Sequence, residues 1–221
     1  MDLIQQLEQF DTAEISDALD ACGIEGALLG IKPESGATKM IGPAFTVKYF
    51  PYQEKQSEFK NAGNYIDEVP AGSVIIIDNA ERQDCTTWGD ILTQVALMRN
   101  IAGTVVFGAA RDIDFIRKAK YPLYASAIYM RSGKNRVYKS SQQCPLSING
   151  VEVLPEDILF GDANGVLVIP KNHLKEVIEK AGYIKKTEQA IIASVKSGMR
   201  LEEARKLHRY DQPWLNNKDN K

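Results

Sequence analysis

With 221 residues, 44% hydrophobic and 25% charged, the chain can bury a core without disulfide or metal staples and lacks the composition of a disordered or fibrous protein. A net charge of −2 argues against nucleic acid or an anionic membrane as a bulk partner, and three scattered cysteines, Cys22, Cys85 and Cys144, form neither a disulfide framework nor a CxxC metal site. The acidic, amphipathic N-terminus is unlike a signal peptide and no apolar run reaches membrane-spanning length, so a cytoplasmic protein without a membrane segment is the expectation.

Residues 2–10 read as a short helix. A second begins at Thr12 with Asp11 or Thr12 as cap, runs to Asp20, and is stopped by Cys22-Gly23. Residues 24–39 are glycine-rich and irregular. Gly42-Pro43 leads into a β-branched and aromatic strand, Ala44–Phe50. The polar stretch 53–62 fits a loop or a short helix. After the turn Pro70–Ser73, the run Val74–Asp78 holds four consecutive aliphatic residues, the pattern of a strand buried on both faces. A polar loop, 79–87, then delivers the chain to Trp88.

Residues 88–112 organise the rest. Gly89-Asp90 opens a helix whose apolar face would be Ile91, Leu92, Val95, Ala96 and Met98, with Gly103 ending it. Thr104–Phe107 is a short buried strand, Gly108–Ala110 a turn, and Arg111-Asp112 lies just past it. Ligands collect at helix N-termini and at the carboxyl ends of strands, and this stretch supplies one of each with charged residues at both.

Beyond it come a short helix over 113–119, a brief strand at Leu123–Ala125, an exposed turn or hairpin over 128–137, and a hairpin around Asn149-Gly150. Strands at 158–162 and 166–169 flank the turn Ala163-Asn164-Gly165. That turn lacks the spacing and terminal glutamate of a calcium loop. From Asn172 to Leu207 the pattern is helical with a break at Gly198, and the end is polar. The order predicts one mixed, layered α/β domain over 1–210, with C-terminal helices and a polar tail over 211–221.

His173 and His208 lie in charged helical segments with no second histidine at ligand spacing. They read as surface residues and argue against a histidine zinc site or a Ser-His-Asp hydrolase. Nucleotide signatures of the GxGxxG and GxxxxGK types are absent. Asp90 could simply cap its helix, Arg111 could be a surface arginine, and Asp112 could pair with Arg117 or Lys118. Together they form an anion-accepting helix start, a planar cation and a hard oxygen ligand, which a metal-bound α-keto acid requires. Asp78 and Asp84 are further carboxylates near the loop before Gly89.

GDIL at 89–92, followed by GTVVFGAARD at 103–112, resembles the class II pyruvate aldolases called 4-hydroxy-4-methyl-2-oxoglutarate aldolases, of the same superfamily as RraA, the regulator of ribonuclease E activity. TAEISDAL, IGPAFTV, VPAGSVIIID and LPEDILFGDANGVLVIP are similar to that superfamily in the same order. The resemblance implies an αββα-type layered RraA-like domain, assembled as a homotrimer or dimer of trimers with sites near subunit interfaces. It implies a carbon–carbon lyase that cleaves a 4-hydroxy-2-oxo acid to pyruvate, with oxaloacetate decarboxylation as a companion activity. Gly89, Asp90, Ile91 and Leu92 would cradle the pyruvate carboxylate. Arg111 would bind pyruvate and stabilise its enolate, and Asp112 would hold Mg²⁺ or Mn²⁺. Asp90 would act in proton transfer through water on the metal. Phe107 stands where the family often has an acid, which would remove a carboxylate beside the site. Glu188 is a candidate proton donor from a neighbouring subunit. The rival is a protein-binding regulator of ribonuclease activity without catalysis. A quinone-precursor methyltransferase lacks any cofactor signature.

Overall fold

A computed structural model describes residues 3–36, 39–52 and 63–212. The stretch 53–62 and most of the polar tail, 213–221, lie outside the described residues. The chain divides into two compact units, a helical one formed by 1–25 with 172–221 and a sheet unit formed by 26–171.

In the helical unit α1 is Leu3–Leu7, α2 is Thr12–Cys22, α5 is Leu174–Lys196 and α6 is Leu201–Leu207. Asp11 caps α2 in a reciprocal box with Glu14: the Glu14 N–H donates to Asp11 Oδ1 at 2.8 Å and the Asp11 N–H to Glu14 Oε2 at 3.1 Å. Gly23 ends the helix at φ 71, where a residue with a Cβ would be strained. α2 packs along α5, which buries Val177, Ile178, Ala181, Ile184 and Ile191 at helical spacing. Lys180 Nζ ties the pair by donating to the Ala21 carbonyl at 2.6 Å. His173 faces Glu176 at 3.4 Å, and His208 Nε2 shares a 2.8 Å hydrogen bond with Ser194 Oγ. Among the described residues no helix is long and apolar enough to cross a membrane.

The sheet unit contains β1 (Lys32–Pro33), β2 (Met40–Pro51), β3 (Val74–Asp78), β4 (Thr86–Trp88), α3 (Asp90–Met98), β5 (Gly103–Ala110), α4 (Ile113–Lys118), β6 (Leu123–Ile128), β7 (Val137–Gln142), β8 (Leu146–Ile148), β9 (Val151–Val153), β10 (Ile158–Asp162) and β11 (Gly165–Ile169). Nine strands among the described residues form one mixed sheet in the order β1-β6-β5-β3-β2-β10-β11, with β4 beside β5 and β7 beside β2. The pairs β2–β3, β3–β5, β4–β5 and β5–β6 are parallel, and their carboxyl ends share one edge. The sheet almost closes. The Leu28 N–H donates to Val166 O of β11 at 3.0 Å, and a few residues on Lys32–Pro33 pairs with β6 at the other end.

All five residues of β3 are buried, and they alternate between two apolar clusters, Ile75 and Ile77 in one, Val74 and Ile76 in the other. The first cluster takes in Ala96 of α3 and Ile116 of α4; the second takes in the β8–β9 hairpin. That hairpin turns at Asn149 and Gly150, at φ 49 and 87, the left-handed pair expected of Asn-Gly. The mixed α/β architecture with C-terminal helices is therefore as the sequence predicts.

Several local expectations fail. α3 stops at Met98, and Asn100, left-handed at φ 55, turns the chain; Gly103 instead starts β5, where a Cβ would meet Met40 Sδ at 2.4 Å. Gly108–Ala110 is strand, not turn: Gly108 at φ 149 accompanies a register shift between Val106 and Ala109, and β5 continues to Ala110. Thr86-Thr87, read as loop, forms a strand with Trp88 because β5 and the 131–133 segment pair with it on either side. The polar strand β7 had no hydrophobic signature to reveal it. On α3, Ile91 and Met98 are 68% and 74% exposed, so the buried face narrows to Thr93 and Ala96, with Leu92 and Val95 partly covered.

Candidate active site

The sheet's parallel edge brings Arg111 and Asp112, at the end of β5, against Gly89 and Asp90, at the start of α3. The Arg111 N–H donates to Trp88 O at 3.0 Å. Trp88 is fixed from behind: its Nε1 donates to Thr93 Oγ1 at 2.9 Å, its ring stacks on Tyr121 at 6.0 Å, and Thr93 Oγ1 donates to Gly89 O at 2.9 Å. Thr93 is fully buried, so the first turn of α3 is anchored by a satisfied polar group within the core.

The helix start is electropositive, and two of its amides meet carboxylates of the chain itself. The Asp90 N–H donates to Asp112 Oδ2 at 3.0 Å, and the Ile91 N–H to Asp90 Oδ1 at 2.8 Å. Arg111 Nε lies 3.3 Å from the same Asp112 Oδ2. Both side chains are about a third exposed, so the guanidinium and the carboxylate remain accessible. Asp112 is left-handed, φ 58 and ψ 36, a sparsely populated conformation for an aspartate. Gly89 is extended, and a Cβ there would sit 2.5 Å from Asp112 Oδ2 and 3.2 Å from Arg111 Nε.

Gly89, Asp90, Ile91, Leu92 and Arg111 line a cavity of about 390 Å³; Asp112 touches this group through the Asp90 amide and Arg111 but is not itself part of the lining. The cavity's other walls, not foreseen from the sequence, carry Tyr49, Asn64 and Ile66, and a far end at Ser132, Gly133 and Lys134. Burial pushes the Tyr49 hydroxyl well above the usual tyrosine range, which keeps it neutral. The far end is held to β4: the Thr86 N–H donates to Arg131 O at 2.9 Å and the Gly133 N–H to Thr86 O at 2.9 Å. One strand thus positions both the helix start and the 132–134 loop. No local sequence pattern marks these walls, because the residues come together only when β4 pairs.

The other candidates lie elsewhere. Asp78 Oδ1 accepts the Ala80 N–H at 2.8 Å and Asp78 pairs with Lys48 at 3.7 Å. Asp84 is gripped by Arg82 at 2.8 and 2.9 Å, which holds its carboxyl below the usual carboxylate range. Phe107 is 7% exposed in the second apolar cluster, not in the cluster that holds Trp88 and Ala110. A side chain at this position therefore faces away from the cradle. Glu188 lines a separate cavity within the helical unit, with Asp17, Asp20 and Asp211.

A family model described as RraA-like, Aldolase/RraA, matches residues 12–168. The chain is similar to protein DlpA of Legionella pneumophila, 58% identical over 213 residues; the match covers 96% of this chain but 35% of DlpA, so the chain spans about a third of that relative. A Halalkalibacterium halodurans protein with the provisional name 4-hydroxy-4-methyl-2-oxoglutarate aldolase is 34% identical over 183 residues, 82% of either chain. Among solved structures, an uncharacterized protein from Pseudomonas syringae pv. tomato superposes with a TM-score of 0.84 at 43% identity, covering 92% of this chain and 96% of that one.

Proposed function

The chain belongs to the RraA-like family (Aldolase/RraA), and from that premise we propose that it is a carbon–carbon lyase. The reaction is cleavage of a 4-hydroxy-2-oxo acid of the 4-hydroxy-4-methyl-2-oxoglutarate type to pyruvate, dependent on a divalent metal. Decarboxylation of oxaloacetate is its companion, because both reactions leave the same pyruvate enolate. One observation carries the reading: a carboxylate oxygen, that of Asp112, sits within reach of both the Asp90 amide and Arg111 Nε, at 3.0 and 3.3 Å. The junction of helix start and strand end therefore already accepts a carboxylate.

The amides of Gly89 to Leu92 and the Arg111 guanidinium bind the pyruvyl carboxylate at the cavity floor. As the bond to C4 breaks, its electron pair moves toward C2 and charge grows on the keto oxygen, beside Arg111. A guanidinium beside the keto oxygen stabilises that charge where it develops. Asp90, at the mouth of the same helix start, moves the proton between the substrate and water. No lysine is required as a covalent partner.

Among the described residues no group of three or more histidine, cysteine or acidic side chains could hold a metal by itself. The donors at the cradle are hard carboxylate oxygens, of Asp112 and Asp90, and Mg²⁺ characteristically takes one or two carboxylates with the remaining positions left to water and substrate. The residues fit that mode, with Asp112 as the holder. Bound there, Mg²⁺ or Mn²⁺ would supply Lewis-acid stabilisation of the keto oxygen. Assembly into a homotrimer or dimer of trimers is proposed on the family resemblance alone.

Pyruvate release from oxaloacetate and from 4-hydroxy-4-methyl-2-oxoglutarate, with and without Mg²⁺, tests the reading. Metal-dependent turnover that is lost in Arg111→Ala and Asp112→Ala is the expected result. Turnover of neither acid, or turnover indifferent to metal, overturns it.

A further inference from the structure

We infer that the cavity holds a second anion subsite at its 132–134 end, so that the keto acid it takes carries a carboxylate at both ends of its chain. The identity of the ligand as a keto acid rests on the lyase reading above, which gives its first carboxylate to Arg111 and the start of α3. The second carboxylate, beyond C4, falls to Ser132 and Lys134.

The spacing of the two ends comes from β4. The 131–133 segment is bonded to Thr86, at the head of the strand, and the helix start follows Trp88, at its foot. Thr86 and Gly89 are separated by extended chain, about 10 Å at 3.3 Å per residue. Pyruvate bound at Arg111 leaves that span unfilled, whereas a five-carbon diacid reaches across it with a hydrogen bond at each end.

Charge is unevenly distributed along the lining. Its acids, Asp67 and Asp90, stand on the 64–67 wall and at the helix start. The stretch 131–137 carries Arg131, Lys134 and Arg136 and no acid, so the field at that end favours an anion. Ile66, Leu92, Val95 and Val137 add an apolar lining that suits a carbon chain.

The 132–134 end is fixed by its own bonds. The Gly133 N–H donates to Thr86 O at 2.9 Å, and Arg136 Nη1 donates to the carbonyls of Ser132 and Lys134 at 3.0 and 3.2 Å. The Lys134 N–H donates to Ser132 Oγ at 3.1 Å, which leaves the hydroxyl its own proton to give to a ligand. Lys134 is exposed, and its flexible stem presents an ammonium as a point charge. Thr87, midway along β4, lines the same cavity. It is 8% exposed and its Oγ1 has no hydrogen-bond partner among the described residues, a buried polar group of the kind a polar ligand satisfies.

Calorimetric titration of the full chain, with Mg²⁺ present, compares 2-oxoglutarate with 2-oxopentanoate, a keto acid of the same length that ends in a methyl group. The native chain is expected to bind 2-oxoglutarate about tenfold more tightly. Lys134→Gln is expected to erase that preference and Lys134→Arg to keep it, and raised salt to narrow it in the native chain. A preference kept by Lys134→Gln overturns the inference. So does a loss of equal size for both ligands, which a purely structural role of the loop would produce. Pyruvate binding in a native chain that does not prefer 2-oxoglutarate removes the subsite and leaves the lyase reading standing. A preference lost in Lys134→Gln, in a chain that releases no pyruvate from 4-hydroxy-4-methyl-2-oxoglutarate, upholds the subsite and removes the lyase reading. Binding of none of these keto acids overturns both.

Discussion

Gly89 has no space for a side chain because Asp112 lies against it: a Cβ would sit 2.5 Å from Oδ2 of the carboxylate and 3.2 Å from Arg111 Nε. The backbone is not the obstacle, since Gly89 is extended at φ −166, a conformation open to any residue. Gly89→Ala is thus expected to keep the fold, read by circular dichroism, while displacing both charged groups. A loss in kcat/KM of about 10²-fold, the scale of a misplacement near 1 Å, is the expected outcome.

Arg111→Lys keeps the charge and discards the planar fork. A lysine ammonium cannot reproduce two fixed N–H donors toward a carboxylate, so kcat/KM with oxaloacetate is expected to fall about 10²-fold. Thermal stability should not move, because the side chain is about a third exposed and, among the described residues, its ion pair is with Asp112. Full activity in the lysine variant would remove Arg111 from its proposed role.

Phe107 is 7% exposed, buried in the apolar cluster that also holds Ile76, Val105 and Tyr124. Phe107→Asp is expected to destabilise by about 3–5 kcal/mol through lost burial and an unpaired buried charge, with no gain in turnover. The urea midpoint measures it.

Two glycines separate crowding from entropy. At Gly133 a Cβ would meet Thr86 O at 2.5 Å and Val137 Cγ2 at 2.9 Å, so Gly133→Ala must break the clamp on β4, at about 2 kcal/mol. At Gly182, inside α5, nothing lies within 4 Å, and Gly182→Ala should stabilise by about 0.5–1 kcal/mol. Denaturant unfolding of the two variants should shift in opposite directions.

Glu188 titrates above its ordinary value, first from burial and then from the charges of Glu14, Asp17 and Asp11. A carboxyl raised in the fold favours its protonated form there. Its ionisation weakens the fold as pH climbs from the unfolded-chain value, about 4.3, through the raised folded one. Glu188→Gln removes that cost and should raise Tm by about 1 °C at neutral pH, the gain vanishing below about pH 4. A gain of equal size at both pH values would assign the effect to packing.

Much of the fold was legible because local rules and tertiary context agreed. The helix start at Asp11 or Thr12, the aliphatic run of β3, the Asn149-Gly150 turn and the long α5 each carry their cause within a few residues. Legibility failed where partners came from far along the chain. β7 is polar and becomes a strand only by pairing with β2. Gly108 reads as a turn residue but sits in a strand with a shifted register. Ile91 and Met98 follow a helical apolar period yet face outward.

The candidate site divides in the same way. The sequence alone determined which chemical groups are available, an electropositive helix start, a guanidinium and an adjacent carboxylate, because residue type and spacing along one segment set those. Only the tertiary structure decided their relation. Parallel pairing of β4 with β5 carries Trp88 and Arg111 side by side, 23 residues apart in sequence. It turns Asp112 onto the Asp90 amide, sends Phe107 to the opposite cluster, and recruits the 132–134 loop to the far wall. The physical reason is that backbone hydrogen bonding between strands distant in sequence fixes distances that no periodicity along the chain encodes.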